Sequence, residues 1–132
     1  MATGNETFQW DIHCPSQALT ADRTLYRTFK LEGDWYIETS ELMPQDAITA
    51  DATDYRTVTV TNETDSATIQ TVNTTVATGQ TLVAGTAVAG TLTEGSARII
   101  SQGDKISLAN VHTAAGQVLG VTWSCFLRRR RL

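Results

Sequence analysis

Apolar and polar residues alternate with a period of two along most of this chain. Phe8, Trp10 and Ile12 alternate with Gln9, Asp11 and His13. Leu25, Phe29 and Leu31 alternate with Tyr26, Thr28 and Lys30, and Arg27 interrupts the apolar side. Trp35 and Ile37 follow, after Glu32-Gly33-Asp34. Val58 and Val60 alternate with Thr57, Thr59 and Thr61. Ile106 and Leu108 alternate with Ser107 and Ala109. Val121, Trp123, Cys125 and Leu127 alternate with Thr122, Ser124 and Phe126. Successive strand side chains point to opposite faces, so each run predicts a half-buried β-strand.

Turn-forming residues separate these runs. Gly33, between two alternating segments, predicts a hairpin turn. Residues 62–66, Gln102-Gly103-Asp104 and Ala115-Gly116-Gln117 are polar and turn-prone. From Met43 to Asp54 there is little alternation, which predicts a loop or a short helical turn after Pro44. Between Thr68 and Thr78, Ile69, Val72 and Val76 are spaced by three and four residues, which predicts a short amphipathic helix. Glycines at 79, 85, 90, 95 and 103 divide the next stretch into short strands, expected at 81–84, 86–89 and 97–100. Many short strands without βαβ alternation predict an all-β domain over residues 1–132. The expected architecture is an antiparallel sandwich or barrel, jelly-roll-like, with at most one short helix.

Composition agrees with that picture. The chain has 132 residues, 41% hydrophobic and 18% charged, with 9 glycines and 2 prolines, unlike a disordered, collagenous or coiled-coil chain. The 23 threonines suit strands with a solvated face. Apolar runs are too short for a membrane-spanning helix, and residues 1–6 lack the pattern of a signal peptide. Asn-x-Thr triplets at Asn5, Asn62 and Asn73 are expected by chance in so threonine-rich a sequence.

The net charge is −4, but four of the ten basic residues are consecutive: Arg128, Arg129, Arg130 and Arg131. The rest holds 6 basic and 14 acidic residues, a charge of −8. An acidic body repels phosphate, so neither nucleic acid nor an anionic membrane is an expected partner. The arginine run is a solvated tail or a docking element for an acidic protein.

No catalytic motif is visible: there is no Gly-x-Ser-x-Gly, P-loop, Gly-x-Gly-x-x-Gly or His-Glu-x-x-His. His13 falls on the face opposite Trp10, and His112 lies just beyond the Ile106 run. His13, Cys14, His112 and Cys125 lack zinc-site spacing, and Asp51, Asp54, Asn62 and Asp65 lack that of a calcium loop. No metal, cofactor or enzymatic activity is expected. Cys14 and Cys125 lie in the first and last strands, which can be neighbours. A reduced pair is the default, and a disulfide stays open. Trp10, Trp35 and Trp123 fall on apolar faces and are expected in the core, with a sugar-binding platform as the other use of such aromatics. Tyr26, Tyr36 and Tyr55 fall on the opposite faces, where Tyr26 and Tyr36 are candidate partner-binding residues.

The segments 54–62, 100–108 and 116–123, running Asp54-Tyr55-Arg56-Thr57-Val58, then Gly103-Asp104-Lys105-Ile106, then Gly120-Val121-Thr122-Trp123, share a cadence of strand, Gly-Asp turn, strand, glycine and final strand. Over residues 54–127 this resembles the head decoration (cement) and head-fibre-base proteins of tailed bacteriophages. The resemblance implies a non-enzymatic virion protein that binds the outside of an assembled capsid, its partner the major capsid protein, as a homotrimer. Residues 1–7 and 128–132 would then be candidate arms, with Arg128 to Arg131 pairing with capsid carboxylates. A receptor- or carbohydrate-binding module of a tail or fibre is the alternative.

Overall fold

The computed structural model describes residues 7–78 and 81–129. In chain order the strands are β1 (Thr7–Gln17), β2 (Arg23–Thr28), β3 (Asp34–Pro44), β4 (Tyr55–Asn62), β5 (Ala67–Asn73), β6 (Thr91–Leu92), β7 (Ile99–Ser101), β8 (Lys105–Thr113) and β9 (Leu119–Arg129). Two short 3-10 turns, Val76–Thr78 and Gly95–Arg98, are the helical segments among the described residues.

The strands form two antiparallel sheets, ordered β1-β9-β3-β7 and β2-β8-β4-β5-β6. β1 pairs with β9, β2 with β8, β3 with β7 and β4 with β5. The chain is therefore one long hairpin with its tip at the β4–β5 turn. Rolling that hairpin adds the β3–β9 and β4–β8 pairings. An eight-stranded hairpin rolled in this way, with β6 as a two-residue addition, is a jelly roll. The all-β sandwich read from periodicity is the fold.

The alternation sets the core. Trp10, Ile12 and Cys14 of β1, Trp35 and Ile37 of β3, and Val121, Trp123, Cys125 and Leu127 of β9 are buried from one sheet. Val58, Val60, Ile69, Val72, Ile106 and Leu108 meet them from the other. Trp10 stands edge-on to Phe29 at 5.3 Å and to Trp123 at 6.2 Å between ring centroids. Inside this core, Gln70 Oε1 accepts hydrogen bonds from Trp123 Nε1 (2.8 Å) and Ser40 Oγ (2.5 Å), joining the two sheets.

Several local expectations are corrected. Gly33 (φ +93) does not close a hairpin: β2 and β3 lie in different sheets. The helix expected over Thr68–Thr78 is mostly strand β5. Its register slips between Val60 and Thr61, leaving Ile69 as the extra residue of a β-bulge, so Ile69 and Gln70 are both buried. Of the strands expected at 81–84, 86–89 and 97–100, the first two are reduced to isolated bridges, Leu82 with Ile48 and Val88 with Leu42. Residues 97–98 belong to a 3-10 turn, and β7 starts at Ile99. Cys14 and Cys125 lie in paired strands, but Cys14 pairs with Val121 and Cys125 with Trp10. Four positions along a strand is about 13 Å, beyond disulfide reach. Both thiols are free and buried. Burial, and then the Asp11 charge, push the Cys125 thiol pKa far up.

Candidate binding surfaces

One end of the sandwich gathers the β1–β2, β3–β4 and β8–β9 connections and the chain that follows β5. Arg56 holds it together. In β4 this residue shares the inward face with Val58 and Val60, so its guanidinium enters the interior and is fully buried. Its Nε donates to Gln117 O (2.7 Å). Its Nη1 donates to Ala21 O (2.7 Å) and Asn110 Oδ1 (3.2 Å), and its Nη2 to Ala18 O (2.5 Å) and Leu19 O (3.3 Å). Carbonyl dipoles take the place of a close counter-ion, since the nearest carboxylate oxygen, on Asp22, is 4.0 Å away. Burial lowers the guanidinium pKa, and the Asp22 charge opposes that shift.

Further bonds knit the other connections to this pair. Gln117 Nε2 donates to Thr49 O and Asp54 O, both at 2.8 Å, and Ala115 N donates to Asp54 Oδ1 at 3.0 Å. Asp51 N donates to Thr74 O and Val76 N to Asp51 O. Asp46 accepts from Ser16 Oγ (2.6 Å) and Gly120 N (2.7 Å). The backbone N–H of His112, followed by its ring at 2.6 Å, holds the Asp22 carboxyl below its ordinary pKa. The N–H groups of Asp54 and then Thr53 do the same for Asp51. Above this framework stand apolar tips: Leu19 is 53% exposed, Val76 55%, Val83 59% and Val118 41%.

The opposite end carries a groove. Phe8, Trp10, Tyr26, Arg27, Thr28, Lys30 and Leu31 line a space of about 580 Å³ at the margin between β1 and β2. Each of these strands ends its own sheet. Arg27, the residue that breaks the apolar side of its run, lies with its guanidinium 5.0 Å from the Trp10 ring and donates to Asp11 O of β1.

The residues singled out from sequence do not form one patch. Tyr26 is exposed beside the groove, with Lys105 Nζ 5.3 Å from its ring. Tyr36 lies in the other sheet. Arg98 stacks on its ring at 5.6 Å and donates to its hydroxyl at 3.0 Å. Arg128 is the register partner of Tyr36, and its Nε is 3.1 Å from Glu38 Oε1. Arg129 lies 5.9 Å over the Trp35 ring. Arg128 and Arg129 are thus part of β9, flanked by β1 and β3, which corrects the expectation of an arm starting at 128. Thr7 likewise lies in β1. Arg130 and Arg131, with residues 1–6 and 132, lie outside the described residues. His13 is exposed and bonds Thr122 Oγ1 at 2.7 Å, and the three tryptophans are buried. Among the described residues no three His, Cys, Asp or Glu side chains cluster as metal ligands.

Arg56 and the apolar tips were not among the residues singled out from sequence. Arg56 carried a readable signal, a cation in phase with two buried valines. Leu19 and Val118 carried none, because loop exposure follows from how neighbouring connections meet.

In comparisons with known proteins, no family model matches the chain, and no curated protein or solved structure matches it either.

Proposed function

We propose that this protein is a non-enzymatic virion structural protein that attaches, as a homotrimer, to the outside of a tailed-phage head and contacts the major capsid protein. One observation carries the reading: the loop end held by Arg56, which presents Leu19, Val76, Val83 and Val118 on a hydrogen-bonded framework. Apolar tips on rigid loops bind with little ordering cost. Modest contacts of this kind gain avidity when repeated on a lattice. The jelly-roll scaffold, common in viral shell proteins, is compatible with that role but does not specify it.

Light scattering on size-exclusion fractions is expected to give three times the chain mass. Co-sedimentation with undecorated phage heads is expected to saturate at a fixed ratio per shell subunit. A protein that stays monomeric and remains in the supernatant with heads overturns the reading. A second reading, a sugar- or receptor-binding module of a tail or fibre, is supported by the exposed Tyr26 and Phe8 beside the groove. Binding to a glycan array without binding to heads would select it.

A further inference from the structure

A second candidate surface lies at the end of the sandwich away from Arg56. The groove between β1 and β2 has apolar walls in Phe8, Trp10 and Leu31, and its rim carries Tyr26, Arg27 and Lys30. Lys105 of β8 stands over the ring of Tyr26, with its Nζ 5.3 Å from the ring centroid. Setting aside the arginine run, the chain has six basic residues. Of these, Arg56 is buried and Arg98 is paired with Glu94 at 3.0 Å, while three of the other four gather here. Arg27, Lys30 and Lys105 form no ion pair with any described residue, although the body is strongly acidic. Close beside them runs the free edge of β2. This strand is six residues long and exposed or half-exposed throughout, and among the described residues it is paired on one side only, to β8.

A free strand edge offers main-chain donors and acceptors to an incoming strand, and alternate side chains of that strand meet the flanking surface. Cations along the edge repel another basic strand and select an acidic one. We propose that β2 and its groove bind an extended acidic segment of a partner polypeptide by strand addition. Its carboxylates would meet Arg27, Lys30 and Lys105, and its intervening apolar side chains would enter between Phe8 and Leu31. The free edge favours a polypeptide over a sugar, which has no backbone to pair with β2. This site lies apart from the loop end and does not depend on the capsid reading.

Fluorescence polarisation of labelled eight-residue peptides tests it on the full chain. A peptide alternating Glu and Val is expected to bind, more weakly as salt is raised. A Lys–Val peptide is expected not to bind. A Glu–Val peptide with proline at its centre is expected to lose at least tenfold in affinity, because proline removes a ladder donor. Arg27 touches Trp10, so the variant used is the double change Lys30→Glu and Lys105→Glu, with near-UV circular dichroism of the tryptophans as the control for folding. It is expected to lose tenfold or more. No binding of the Glu–Val peptide at millimolar concentration overturns the proposal, as does equal binding by the double variant. Equal affinity for the proline peptide, or full competition by polyglucuronate at matched charge, also overturns it, by showing that charge alone is recognised.

Discussion

A buried guanidinium satisfied by carbonyl oxygens is costly to assemble and costly to break. Arg56 meets the desolvation cost of burial through bonds to four loop carbonyls and Asn110. Replacing it with methionine keeps most of the volume but strands those carbonyls inside the fold. Arg56→Met is therefore expected to lower stability by about 3 kcal/mol, read as a lower urea midpoint. Asp51 and Asp22 add an acid-sensitive contribution in the same region. Their carboxyls are held below the ordinary value of 3.8, so the folded state binds protons less readily than the unfolded chain. The resulting stabilisation is fully present above about pH 4 and is lost as pH falls through the lowered values. Asp51→Asn keeps an acceptor for the Thr53 and Asp54 N–H groups but cannot titrate. Stability curves of this variant between about pH 4 and pH 2 are expected to fall less steeply than those of the parent.

At the scale of elements, period-two runs were legible wherever a strand stays regular. β1, β4, β8 and β9 could be read from side-chain alternation alone. Bulges hid the second half of β3 and the start of β5. In β3 the register slips between Ile37 and Thr39, so Glu38 is the extra residue, and the buried positions change from Trp35 and Ile37 to Ser40, Leu42 and Pro44. In β5 the bulge at Ile69 produced the spacing of three to Val72, which together with the exposed Val76 of the following 3-10 turn mimicked a helix. The segment from 81 to 92 pairs too little to leave a periodic signature. The groove was half legible: Arg27 announced itself by interrupting an apolar side, but its rest on Trp10 joins two sheets that sequence spacing cannot place together. The loop end depends on close approach as much as on Arg56. Gly116 adopts φ +65, and a Cβ there would overlap the Leu19 carbonyl oxygen and lie 2.8 Å from His112 Cβ. Gly116→Ala is expected to destabilise by about 2 kcal/mol, through strain and separation of the two loops. Thermal unfolding of the variant, set beside Gly85→Ala, where the added Cβ meets nothing within 4 Å, separates the close approach from the shared positive φ.

At the scale of the molecule, the rolled hairpin places its two candidate surfaces at opposite ends, so each can be altered without touching the other. At the loop end Leu19 and Val118 stand above the carbonyls bound by Arg56, and their own side chains are exposed. Exposed positions of this kind change stability by less than about 0.5 kcal/mol when substituted. A carboxylate there, in contrast, would carry charge into any apolar contact the tips make. The double variant Leu19→Glu and Val118→Glu is therefore expected to unfold at nearly the parent temperature and to lose co-sedimentation with phage heads by tenfold or more. Lys30→Glu with Lys105→Glu, at the groove end, is expected to retain it. If the groove variant abolishes head binding and the loop variant leaves it intact, the face that meets the lattice is the cationic margin of β2, and the rigid loops serve the fold alone.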